Sequence, residues 1–211
     1  MLAITKILYS HNIFFILMLI SFFLIALIKG LYWKHAKLIF MGVYSQRYAN
    51  QYLRQSNTFT ERVSVITFFL MVINITLLFV KVKDIVELRM IFFVFCCVLC
   101  FYMLKVLAIK SLGWLFKLND ISSLVVFFSL LYDKTFGFLL FPLLVLLSFF
   151  LFNISHFILF VIMGLLLFIL LFKLFWFWKI GSTSFGFSSF YIFLYLCCFE
   201  IFPILLVLKS S

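Results

Sequence analysis

The sequence predicts an all-α integral membrane protein. Apolar residues make up 68% of the 211-residue chain and charged residues only 11%, and the mean hydropathy is +1.34. A soluble domain of this size exposes much of its surface and needs polar side chains to cover it. The few charges divide the chain into apolar blocks that approach the roughly 20 residues a helix needs to cross hydrocarbon. These blocks lack the alternation of barrel strands, and lipid requires internally bonded backbone, so we expect helices.

Six blocks are predicted to span the bilayer, and residues 1–211 are expected to form a single polytopic membrane domain. The blocks are Asn12–Ile28, Val63–Val80, Met90–Ile109, Phe136–Phe152, Phe157–Trp178 and Phe190–Leu208. The first is longer than the apolar core of a signal peptide and lacks a small-residue cleavage site, so we expect it to stay as an anchor. A seventh block, Ile121–Tyr132, is too short to cross alone. Segment 111–135 is therefore predicted to hold one short interfacial or re-entrant helix.

The distribution of lysine and arginine predicts the orientation. Twelve of the 17 basic residues fall on the side of the bilayer that holds loop 29–62, and five fall on the other side. The positive-inside rule makes 29–62 a cytoplasmic basic loop and puts both termini outside, in the inner (plasma) membrane. The net charge of +11 then reflects topology and contact with anionic lipid headgroups. Nucleic-acid binding is not expected, because no segment is long enough to form a folded basic module.

A carboxylate in the middle of the last block is the first candidate site. Glu200 would cost several kcal/mol if it were charged and unpaired at the bilayer centre, so we expect it to be neutral, paired or facing protein. Pro203 leaves the carbonyl of Phe199 without its helical donor, and a protonated Glu200 could bond there. Lys105 and Lys173 lie nearer the cytoplasmic ends, where either could reach a carboxylate. The site could bind a proton or ion, or fasten helices together.

The cytoplasmic loop holds the second candidate site. Leu31–Val43 alternates basic and apolar residues, as an amphipathic helix lying on the membrane surface does. The polar stretch that follows is expected to present hydrogen-bond donors and aromatic rings to anionic headgroups or to a partner protein. Its four candidate docking residues are Arg47, Tyr48, Tyr52 and Arg54.

A cysteine pair gives a further candidate. Cys97 and Cys100 have the C-x-x-C spacing that puts two thiols on one helical face, as in membrane thiol oxidoreductases. Packing is the favoured interpretation, because a cysteine in an apolar setting behaves as a small hydrophobe and forms a thiolate with difficulty. The three histidines are scattered along the chain, so we expect no metal site, and no motif indicates a cofactor.

Four short motifs occur in order along the chain. They are Arg47-Tyr48 with Gln51-Tyr52-Leu53-Arg54, then Gly113-Trp114-Leu115-Phe116, then Lys134, Gly137 and Pro142, then Phe193-Leu194-Tyr195 with Glu200-Ile201 and Pro203. In this order they resemble the Bacteroidota membrane proteins grouped as domain of unknown function 4271. The resemblance covers most of the chain and implies a small polytopic inner-membrane protein with no assigned activity. Gln55 departs from the pattern, since an acidic residue is expected after the loop arginine.

The sequence therefore favours a non-enzymatic subunit or accessory factor of a larger membrane complex, in contact with other membrane proteins. A small proton-coupled transporter that uses Glu200 is one alternative. A membrane thiol oxidoreductase that uses Cys97 and Cys100 is another. Composition alone also permits an organelle-encoded subunit of a respiratory complex.

Overall fold

The computed structural model describes residues 2–45, 47–48, 51–52, 58–83, 85, 87–115, 119–149 and 152–184. Its elements over these ranges are helices, and no strand occurs in them. The helices are α1 (Leu2–Leu31), α2 (Trp33–Tyr44), α3 (Thr58–Val82), α4 (Leu88–Leu115), α5 (Asn119–Phe149) and α6 (Phe152–Ser184). The predicted all-α class is confirmed.

Four of these helices are long and apolar enough to cross a membrane. The apolar stretches are Ile13–Leu31 in α1, Thr58–Val82 in α3, Leu88–Ser111 in α4 and Val125–Phe149 in α5. In α6 the apolar stretch Phe160–Phe175 is shorter. The sixth predicted span, Phe190–Leu208, lies outside the described residues, so the count of six spans stays a prediction.

Helix α5 differs from the sequence-based boundaries. We expected a short helix within 111–135, separate from a span that begins at Phe136, because Asp133 and Lys134 interrupt the apolar run. In the structure both blocks belong to the single helix α5, which also continues through Pro142. The two charges do not end the helix because each has a partner on a neighbouring helix, and paired polar groups are tolerated inside an apolar bundle.

Helix α5 is the centre of the bundle, because it contacts each of the other five helices. Helix α3 runs parallel to α5, and α1, α4 and α6 run antiparallel to both, as the residues in contact along each pair show. The last turns of α1 therefore lie beside the first turns of α3. We call this end of the bundle, where α2 follows α1, the α2 end.

Helix α2 is amphipathic, as the alternation of Leu31–Val43 predicts. Its buried residues include Ala36, Ile39 and Val43, which join a core cluster with residues of α1, α3 and α5. The ring of Phe40 lies 4.6 Å from that of Phe138 on α5, measured between centroids. Burial of this apolar face holds α2 on the bundle and leaves its basic face exposed.

Candidate intramembrane charge site

Three charged side chains from three helices meet inside the bundle. Asp133 on α5 accepts a hydrogen bond from the Lys105 Nζ of α4 at 3.2 Å and from the Lys173 Nζ of α6 at 2.8 Å. The two lysine side chains are 2% and 3% exposed, and the Asp133 side chain is 16% exposed. The Lys105 Nζ also lies 5.9 Å from the ring centroid of Tyr102, within range of a cation–π contact. We refer to Lys105, Asp133 and Lys173 as the charge triad.

The depth of the triad follows from its place on α5. Asp133 comes eight residues after Val125, where the apolar stretch of α5 begins, a rise of about 12 Å along the helix axis. The carboxylate thus lies well inside the apolar part of the bundle, toward the α2 end. Its two ammonium partners offset part of the desolvation cost of the three charges, and the pairing fastens α4 and α6 to α5.

A second polar contact joins α3 and α5 at the same end. The Lys134 Nζ donates a hydrogen bond to the Ser64 Oγ at 2.6 Å, and Lys134 is 8% exposed. The neighbouring Tyr52 hydroxyl donates to the Thr60 carbonyl oxygen at 2.7 Å. Burial raises the pKa of Tyr52 to about 12, although a hydrogen bond with the Ser64 side chain acts in the opposite direction. The Tyr52 phenol therefore stays protonated at neutral pH.

A third polar contact, without charges, joins α1, α3 and α5. The Ser21 Oγ donates to the Asn74 Oδ1 at 2.6 Å, and the Asn74 Nδ2 donates to the Gly137 carbonyl oxygen at 2.8 Å. Ser21 and Asn74 are both fully buried. Interhelical bonds of this kind between neutral side chains are a common way to hold membrane helices together.

The triad contains two of the site residues that the sequence indicated. Lys105 and Lys173 were expected near Glu200, and the structure brings both onto Asp133, which sequence reasoning missed. The sequence did contain a signal for Asp133, a carboxylate between two apolar runs, but it served only to mark where one predicted apolar block ends. Glu200 and Pro203 lie outside the described residues, so their pairing stays a prediction.

The candidate docking residues differ in their exposure in the structure. Arg47 and Tyr48 are exposed, and their contact with headgroups or a partner stays a prediction. Tyr52 was expected to project from the loop, and this is wrong: it is buried, its ring stacks on Phe127 with a centroid distance of 5.5 Å, and its hydroxyl is bonded to Thr60. Burying an aromatic ring with its hydroxyl satisfied is favourable, which explains the difference. Arg54 lies outside the described residues.

The cysteines of α4 lie on its outer side. Cys97 and Cys100 are both exposed in the bundle, Cys96 is partly buried, and all three are free thiols. They follow the exposed apolar side chains of Phe92 and Phe93 along the helix. Within the described ranges, no three His, Cys, Asp or Glu side chains come close enough to hold a metal ion.

A cavity of about 280 Å³ lies between α1, α3 and α4, away from the α2 end. Its lining is almost entirely apolar and includes Leu17, Ile73, Ile91 and Phe95. Such a groove fits hydrocarbon, and it has no charged side chain in its lining to orient a polar ligand.

The chain was compared with models of known protein families, and the match found agrees with the order of the motifs. The model of one family matches residues 14–210. The chain belongs to the family called domain of unknown function 4271. Neither a curated protein nor a solved structure matches the chain. Membership in domain of unknown function 4271 therefore brings no assigned activity, and the charge triad, the Lys134–Ser64 contact and the exposed α2 end carry the functional argument.

Proposed function

We propose that this membrane protein is a non-enzymatic subunit or accessory factor of a larger assembly in the inner membrane. The proposal rests on one observation: the interior polar side chains join the helices to one another. The triad joins α4 and α6 to α5, Lys134 joins α3 to α5, and Asn74 joins α1 and α3 to α5. These contacts fasten α1, α3, α4 and α6 to α5, and a bundle fastened in this way suits a scaffold that presents fixed surfaces to partners.

The exposed surface at the α2 end supports a docking role. Exposed basic side chains there come from several elements and are Lys29, Lys34, Lys37, Arg47, Arg62 and Lys110. Aromatic side chains lie among them, with Tyr44 73% exposed and Trp33 45% exposed. A basic surface with interspersed aromatic rings attracts acidic partners and suits recognition by Arg and Tyr anchors.

The proposal is tested by purification of the tagged protein in mild detergent, followed by identification of what elutes with it. We expect a partner at constant stoichiometry in the wild type. The double substitution Arg47→Glu with Tyr48→Ala should release that partner. The matched control is Arg89→Glu, which reverses an exposed charge at the opposite end of the bundle and should leave the complex intact.

One outcome would contradict the subunit role, and a second would contradict the docking role of the α2 end. The wild-type protein would elute alone at the size of one chain in its detergent micelle, or both sets of variants would retain the partner equally. The second result would move the interface away from the α2 end, and the first would remove the subunit role.

A further inference from the structure

A buried lysine outside the triad differs from the other interior polar groups. Lys134 is 8% exposed, and its hydrogen bond goes to a neutral hydroxyl, the Ser64 Oγ at 2.6 Å. Asp133 precedes it in the chain, but successive side chains on a helix point about 100° apart. The Asp133 carboxylate is bonded to lysines of α4 and α6, whereas Lys134 reaches α3. No carboxylate within the described ranges forms an ion pair with Lys134.

Fastening α3 to α5 does not require a lysine. Asn74 joins the same two helices with a neutral amide at 0% exposure, one turn farther along α5 at Gly137. A charged ammonium in an apolar bundle costs several kcal/mol more than such an amide. A buried lysine amine can also exist without its proton, which is why lysines in such settings accept and release protons.

Hydroxyl groups connect Lys134 to the α2 end. Ser64 contacts both Lys134 and Tyr52, and the Tyr52 hydroxyl donates to the Thr60 carbonyl oxygen at the start of α3. Glu61, the next residue, is exposed. A hydroxyl both donates and accepts hydrogen bonds, so a row of hydroxyls can pass a proton while each group ends unchanged.

The same face of α3 continues this polar row into the bundle. Thr67 and Asn74 follow Ser64 at intervals that keep all three side chains on one side of the helix. Thr67 is 1% exposed and Asn74 is fully buried, where it meets the hydroxyl of Ser21. Polar side chains therefore extend along the α3–α5 contact from the α2 end to the middle of α3.

We propose that Lys134 binds and releases a proton, and that it is the loading site of a proton route that opens at the α2 end. Water at that end supplies the proton. The Ser64 hydroxyl gives its hydrogen to the uncharged Lys134 amine and takes a replacement from the Tyr52 side or from water, so the net change is one proton added to Lys134. Lys134 then releases the proton in the direction of Thr67 and Asn74, toward the opposite end of the bundle, and this returns the amine to its uncharged form. This role goes beyond the proposed subunit function and does not depend on it.

Other ionisable groups on α5 and on the segments packed against it contribute to the field that Lys134 experiences. On α5 itself or on segments packed against it, these groups include Tyr52, Glu61, Tyr132, Asp133, Lys105, Lys173 and His35. Among the described residues, the Tyr132 hydroxyl, in a residue only 1% exposed, has no hydrogen-bond partner.

The test is proton uptake by liposomes that contain the purified protein and an internal pH-sensitive dye, driven by a potassium gradient with valinomycin. Wild-type liposomes should take up protons faster than protein-free liposomes. Lys134→Met should reduce the rate to that of protein-free liposomes, and Ser64→Ala should slow it. The control, Arg89→Met, removes an exposed basic side chain at the opposite end of the bundle and should leave the rate unchanged.

Folding of each variant is checked by its elution volume and its helical circular dichroism. If Lys134→Met does not fold, Ser64→Ala carries the test, because it keeps the lysine and removes only the hydroxyl relay. The proposal is overturned if liposomes with folded wild-type protein take up protons no faster than protein-free liposomes. It is also overturned if folded Lys134→Met takes up protons as fast as the wild type. If Lys134→Met does not fold, the same result for Ser64→Ala overturns it.

Discussion

A close contact between α3 and α5 at a glycine gives the sharpest prediction. Gly137 on α5 packs directly against the backbone of α3. A Cβ atom placed on Gly137 would lie 2.5 Å from the Met71 Cα and 2.7 Å from the Met71 Cβ. Because the obstructing atoms are backbone and Cβ, they cannot turn aside as the end of a flexible side chain can. Gly137→Ala must therefore push α3 and α5 apart.

The loss of stability expected from Gly137→Ala has two parts. Overpacking of a close contact destabilises by about 1–3 kcal/mol, and separation also strains the Asn74 bond to the Gly137 carbonyl, worth about 0.6–2 kcal/mol in a membrane protein. The sum of about 1.6–5 kcal/mol corresponds to a fall in Tm of about 3–20 °C on the scaling for chains of this size. The higher helix propensity of alanine offsets at most about 1 kcal/mol of this.

The assay is thermal unfolding in detergent, followed by the loss of monodisperse protein on size-exclusion chromatography. Two glycines serve as matched controls, because a Cβ at Gly30 or at Gly164 meets nothing within 4 Å. Gly164→Ala and Gly30→Ala should unfold at the wild-type temperature or slightly above it. If Gly137→Ala is as stable as these controls, α3 and α5 do not pack as described, and the reasoning fails.

Three further predictions concern other contacts. Asp133→Asn removes the carboxylate that bonds Lys105 and Lys173 and should destabilise by about 3–5 kcal/mol, the usual effect of breaking a buried ion pair; an unchanged Tm in the same assay would contradict the triad. Tyr52→Phe keeps the ring stacking but loses the hydrogen bond of the hydroxyl, and should destabilise the protein by about 0.5–1.5 kcal/mol. Because burial raises the pKa of Tyr52 from 10.0 to about 12, the wild type should lose stability relative to Tyr52→Phe as the pH rises through that interval, and parallel pH profiles would refute this. Joint replacement of Cys97 and Cys100 by alanine should leave Tm and complex formation nearly unchanged, and a mixed disulfide trapped on either cysteine would instead favour redox chemistry.

Much of the architecture could be predicted from the sequence because a membrane helix is a local structure. Its backbone bonds close within four residues and its length is set by the bilayer, so an apolar run is enough to locate it. This logic located α1, α3 and α4, and it grouped Lys105 and Lys173 with Glu200 as a candidate intramembrane polar site. It failed at Asp133 and Lys134, where we treated charges as the end of a helix although their partners lie elsewhere in the chain.

The tertiary structure decided which side chains meet. Apolar residues cover every side of α1 and α6, and lipid is as apolar as a helix contact, so periodicity does not reveal the face that packs inward. Asp133 meets lysines 28 and 40 residues away, and no local pattern connects them. The sequence by itself therefore determined a helical membrane protein with a basic side, because hydrophobicity and charge act segment by segment. The charge triad, the burial of Tyr52 and the close contact at Gly137 were decided only when the helices packed, because each depends on the relative rotation of separate helices.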